Sequence, residues 1–242
     1  MRIDWNNMIR RTPPNGVGVI PGCPPVVAFG RVDVARVATL GLNPSKVEYL
    51  DTSGALLQDD KARLPTLAAA GAERLRGLTD DQVTTVRDRQ LRYFDRRPYR
   101  RWFDQLDRVI TGAFDVSYYD GSACHLDLVQ WATAPTWSSL GKEARCALLA
   151  EGRHWLEQLL ARDGLDVVVV NGRSVIDAVV AMGLVELNEV AVIPMGHTTC
   201  RIFAAKHSGQ QWIGWSTNLQ SSLGVTTEFR EALPHRLTEA LT

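Results

Sequence analysis

The chain has 242 residues, 45% of them hydrophobic, enough for one sizeable core, and its 27 lysines and arginines balance 27 aspartates and glutamates. Zero net charge offers no argument for nucleic acid from the chain as a whole, so any such argument must rest on a local patch. No apolar run approaches the ~18 residues of a membrane span, the opening MRIDWNNMIRR lacks an apolar signal core, and Cys23, Cys124, Cys146 and Cys200 form no CxxC pair, which together predict a cytoplasmic protein with no membrane partner.

Residues 1–30 are rich in Pro and Gly and read as an extended arm with a short strand at 26–29. Val37 to Leu42 is a mostly apolar run stopped by Asn43-Pro44-Ser45, a core strand ending in a turn. The polar passage 46–60 is too long for an ordinary connection and reads as a functional loop containing Tyr49. The pattern from 64 to 95 is irregularly helical. From Tyr99 it is clear, with Trp102, Phe103, Leu106, Val109 and Ile110 on one face and Gly112 as the stop. Around that helix start lie Arg87, Arg89, Arg92, Arg96, Arg97, Arg100, Arg101 and Arg108, interleaved with Tyr93, Phe94, Tyr99 and Trp102. Such a run suits phosphate contact and base stacking, or equally a solvated face of ion pairs.

A second strand is expected within 122–131, leaving through a Pro-punctuated exit, and a helix at 142–162 follows. Asp166 to Val170 is an unbroken β-branched run, as in a central parallel strand covered on both faces, and Asn171-Gly172-Arg173 turns it into another helix. Segments 199–206 and 211–217 read as a hairpin across Ser208-Gly209, and a last helix from Leu223 carries Pro234. The alternation predicts a single α/β domain, a three-layer α/β/α sandwich around a mainly parallel four-stranded sheet with right-handed crossovers. In open sheets of this kind ligands bind beyond the carboxyl ends of the strands. Asn43, the stretch from His125 to Gln130, Asn171 and Asn218 would converge there.

Asparagine donates and accepts at once, which matches the edge of a nucleobase, but it cannot serve as a general base. GxGxxG, Walker and GxSxG motifs are absent. A metal hydrolase built on Cys124, His125, His197 and Cys200 is a rival reading, because His197 and Cys200 have ligand-like spacing.

The motifs GLNPS, YRRWFDQLDRVI, HLDLVQWATAPTW, VVVVNGRSVIDAV and WSTNLQSSLGV, in this order, resemble the uracil-DNA glycosylase superfamily from about Val37 to the C-terminus. The first motif is nearest to the mismatch-specific and single-strand-selective branches, with Ser45 in place of their final Gly. The resemblance implies a base-excision enzyme of DNA repair that flips uracil or another deaminated base out of DNA and hydrolyses its N-glycosidic bond, as a monomer without cofactor or metal. It implies that Asn43 orients the attacking water and that Asn218 stabilises charge on the departing pyrimidine. Gly41, Leu42, Pro44, Ser45, Tyr49, Asp127, Asn171 and Ser221 would contact the base, Tyr49 as the stacking ring and Leu223 as the wedge that refills the stack. Arg97, Arg100, Arg101 and Arg173 would hold the DNA backbone. Asp127 falls near the place where relatives carry Asn, and the closing motif lacks its prolines. That altered motif keeps open a member of the superfamily that binds nucleic acid or a nucleotide without cleaving it.

Overall fold

The computed structural model describes residues 3–58, 61–220 and 225–241. Its centre is a sheet of six strands: β1 (Val37–Gly41), β2 (Ala123–Asp127), β3 (Val167–Asn171), β4 (Asn188–Met195), β5 (Thr198–His207) and β6 (Gln210–Trp215), in the order β2-β1-β3-β6-β5-β4. β2, β1, β3 and β6 run parallel, whereas β5 and β4 are antiparallel additions. The expected four-stranded sheet is therefore corrected to six. The two strands beyond the parallel four are β5, which was expected as the first arm of the hairpin, and β4, which was not: the hairpin lies across Ser208-Gly209, both at positive φ, and joins β5 to β6. β4 escapes a reading of the sequence because it is an exposed edge with no clean alternation, interrupted by Pro194.

Helices cover both faces. On one, α1 (Trp5–Arg10), α2 (Asp80–Leu91), α5 (Lys142–Leu160) and α6 (Arg173–Ala181) bury Ile9, Val86, Leu156 and Val179 against Leu40, Leu126 and Val168. On the other, α3 (Tyr93–Arg96), α4 (Arg100–Phe114) and α7 (Thr227–Glu239) bury Phe94, Phe103, Leu106, Phe229 and Leu233 against Val37, Val169 and Ile213. This division follows from the period of two along each strand: Leu40 and Thr39 must face opposite layers.

Two expectations change in detail. The arm of residues 1–30 is not wholly extended, since α1 opens it, capped by Asp4, whose side chain accepts from the Asn7 amide. Its later part seals the outer edge of β2, where Phe29 and His125 exchange backbone hydrogen bonds of 2.9 and 3.0 Å. Covering an edge removes a template for unwanted strand addition. Gly112 does not stop α4, which continues to Phe114 and ends with Asp115 in the left-handed region. A Cβ on Gly112 would lie 2.9 Å from the Pro234 side chain, so the glycine lets α4 and α7 pack closely. No helix among the described residues is long and apolar enough to cross a membrane.

Candidate base-binding site

Beyond the carboxyl ends of the parallel strands lies a cavity of about 210 Å³. Its lining includes Gly41, Leu42, Asn43, Pro44, Ser45, Asp127, Asn171 and Asn218, which the sequence had assigned to one site. The sheet dictates this convergence. Gly41 is level with Asp127, and the pairing of Leu40 with Val170 leaves Asn171 level with Gly41 on the other side. With strands spaced 4.7–4.9 Å, Asp127 and Asn171 stand about 10 Å apart across β1. Gly41 contributes no side chain between them: a Cβ there would meet Asp127 Oδ1 at 2.5 Å and His125 Nε2 at 2.9 Å. The glycine keeps a slot open between two polar walls.

Hydrogen bonds fix which way each amide faces. The Asn43 amide nitrogen donates toward the Trp131 carbonyl at 3.3 Å and Thr133 Oγ1 at 3.1 Å. Thr133 spends its own hydrogen on the Pro135 carbonyl at 2.8 Å, so it accepts from Asn43, and Asn43 Oδ1 is left as the free end. Gln220 donates to the Trp102 carbonyl at 3.0 Å, which turns its oxygen toward Asn171 and draws the Asn171 amide nitrogen to it at 3.0 Å. Asn171 Oδ1 is consequently buried without a partner. Asn218 Oδ1 accepts the Gln220 backbone N–H at 3.0 Å, leaving the Asn218 amide nitrogen as a donor. Three asparagines that look interchangeable in sequence thus play two roles, acceptor at 43 and 171 and donor at 218.

Behind the slot, Tyr118, Thr39 and His125 make a buried chain with links of 2.6 and 2.7 Å, and His125 Nε2 lies 3.4 Å from Asp127 Oδ1. The approach of Asp127 to Nε2 favours the tautomer in which Nδ1 accepts from Thr39 and Nε2 turns its hydrogen to the carboxylate. Asp127 Oδ2, like Asn171 Oδ1, is buried with no hydrogen bond. An unpaired buried acceptor costs on the order of 1–3 kcal/mol, so two of them in one cavity call for donors, from water or from a ligand.

The aromatic wall comes from an unexpected place. Tyr49 is completely buried with its hydroxyl donating to the Pro24 carbonyl at 3.3 Å, and it does not line the cavity. The reading of Tyr49 as the stacking ring is corrected for that reason. Trp102 and Phe103 of α4, with Tyr99, Phe29 and Trp137, line it instead. Trp102 and Phe103 stand edge-on to the His125 ring at 4.9 and 5.3 Å. The sequence pattern had given these two residues to the core face of the helix, and they are indeed on that face; at its first turn it meets the cavity.

Glu48, one residue before Tyr49, was also missed. Only 2% exposed, it lines the cavity and accepts a hydrogen bond of 2.9 Å from the Tyr93 hydroxyl. Burial, opposed in part by Tyr93 and Arg63, pushes its carboxyl up to about 8, so it is mostly neutral at pH 7. A single acid in a polar loop gives no periodic signal by which it might have been found.

The arginines assigned to DNA are less uniform than expected. Arg100 lies 3.8 Å from Asp104 and over the Tyr119 ring, and Arg173 pairs with Asp177 at 2.8 Å. Arg97 and Arg101 are exposed. Ser221 and Leu223, and with Leu223 the expected wedge, lie outside the described residues. Cys124, His125, His197 and Cys200 do not form a metal centre: no group of three or more His, Cys, Asp or Glu that could hold a metal occurs among the described residues. Compared with known proteins, the chain matches no family model and no curated sequence.

Proposed function

We propose that this protein is a uracil-DNA glycosylase-like enzyme that takes a base out of DNA into the cavity and hydrolyses its N-glycosidic bond, the resemblance implying uracil or another deaminated base. The observation that carries the reading is the locked orientation of Asn43 and Asn218 at the strand ends. A cavity of about 210 Å³ is below the roughly 300–1,000 Å³ typical of larger ligands, a size suited to one base rather than a whole nucleotide. Its aromatic wall offers a stacking surface for that base.

In this mechanism water bonds to the sugar C1′ while the C1′–N electron pair departs with the base. Asn43 Oδ1 accepts one hydrogen of the water and so aims a lone pair at C1′ without taking the proton, which is released as the C1′ hydroxyl forms and is delivered through solvent to the departed base anion. The Asn218 amide donates to the oxygen on which the leaving base gathers charge. Loss of a single such donor typically slows a reaction about 100- to 1,000-fold.

The test is incubation with single- and double-stranded oligonucleotides carrying altered bases, followed by alkali. Strand breaks at the altered base that fall at least about 100-fold in both Asn43→Ala and Asn218→Ala are the expected result. An oligonucleotide retained intact by the wild-type protein moves the function to base or nucleotide binding, the reading favoured by the closing motif without prolines.

A further inference from the structure

Asp127 Oδ2 and Asn171 Oδ1 are left over when every hydrogen bond around the cavity has been assigned. Both residues line it, both are at least 95% buried, and they stand level with each other on the two strands that flank the side-chain-free Gly41. Asn171 cannot turn its nitrogen inward without breaking the bond to Gln220, which is itself held by the Trp102 carbonyl. Asp127, with its other oxygen toward His125 Nε2, has no hydrogen to give as a carboxylate. One side of the cavity is therefore a pair of acceptors, while Asn218 supplies a donor from the loop after β6. Glu48 does not discriminate, since a neutral carboxyl with one oxygen on Tyr93 can donate or accept with the other.

Resting on the reading of this cavity as a base pocket, and departing from the deaminated base that the resemblance implies, we propose that it selects a 4-amino-2-oxopyrimidine, a cytosine-type base, rather than uracil. Cytosine offers amino hydrogens at position 4 to the acceptor pair and its 2-oxo group to Asn218. An acidic side chain accepting from the cytosine amino group is an established pairing of a side chain with a base edge. Uracil differs there by carrying an oxygen at position 4, an acceptor that can satisfy neither of the two buried acceptors. Sites built to satisfy a hydrogen-bonding group discriminate strongly against an analogue that lacks it.

The decisive measurement titrates the free bases cytosine and uracil into the full-length protein, followed by NMR shifts of the tryptophan indole N–H groups. It requires no DNA and no catalysis. The expected result is cytosine binding at least about tenfold tighter than uracil, with Asp127→Asn reversing the order. Wild-type binding of uracil as tight as that of cytosine overturns the proposal, and so does binding of neither base. The wild-type ratio decides by itself if Asp127→Asn fails to fold. A parallel arm treats oligonucleotides containing cytosine, 5-methylcytosine or uracil with protein and then alkali. Cytosine-selective binding with no strand breaks keeps this proposal and removes the glycosylase reading; breaks at uracil alone keep the glycosylase reading and overturn this proposal.

Discussion

The two halves of the sheet are built for different tasks. β2, β1, β3 and β6 are parallel and covered on both faces, so a polar residue is tolerated chiefly where a strand leaves the core. Asp127 and Asn171 stand at such ends, and Asn43 and Asn218 follow a few residues beyond theirs. β5 and β4 are antiparallel and partly open to water, with Val190 and Val192 about half exposed and an Arg201–Glu189 pair of 2.8 Å on the surface. None of the cavity-lining residues belongs to β4 or β5. Burial on both faces concentrates chemistry at one rim, whereas an edge that water already satisfies has no such rim.

Substitutions can break that contrast or sharpen it. The largest effect is expected for Gly41→Ala, because the new methyl would overlap Asp127 and His125. A stability loss of about 1–3 kcal/mol in denaturant titration and loss of base binding should appear together. Intact binding in Gly41→Ala would show that the slot is not where the ligand sits.

Glu48 gives a prediction in pH. Its folded carboxyl titrates near 8 against an ordinary value of 4.5, so the folded state keeps a proton that the unfolded chain releases. Its burial is therefore harmless below pH 4.5 and increasingly costly as pH rises through the window to about 8, by up to roughly 3–5 kcal/mol. Glu48→Gln keeps an acceptor for Tyr93 but carries no proton to lose. The wild type should lose stability relative to Glu48→Gln between pH 5 and 8, as read from paired urea titrations; parallel curves would refute the assignment.

The smallest effect is expected in the other half. Val192→Thr on β4 exchanges a half-exposed side chain for one of similar shape and high strand propensity, and should change stability by less than about 0.5 kcal/mol and base binding not at all. A change in binding there would mean that the antiparallel half reaches the cavity.

The same contrast explains what could be read from the sequence. The run Val167–Val170 and the Ser208-Gly209 turn carry strong local signals, and the structure contains the corresponding strand and hairpin. Asn43, Asn171 and Asn218 were legible as a group because each stands at or just past the end of an apolar strand, whereas Asp127 was singled out by the resemblance, its strand being expected to run on to 131 and ending instead at Asp127. β4 was not, since solvent exposure erases the periodicity on which such readings depend. Trp102 and Phe103 show a subtler loss: the spacing marks which face of α4 turns inward, but only the tertiary structure reveals that inward there means a cavity. The roles of the asparagines were equally hidden, because they are set by Thr133, Gln220 and backbone carbonyls distant in sequence.

Gln220 therefore behaves as a polarity latch. One carbonyl on α4 orients it, it orients Asn171, and Asn171 then shows its oxygen to whatever enters. If that carbonyl became unavailable, the two amides could rotate in concert and the wall would display a donor in place of an acceptor. The hydrogen-bonding character of one wall of the cavity is thus set from α4, out of reach of anything that enters, while Asp127 on the other side of Gly41 keeps its carboxylate oxygens.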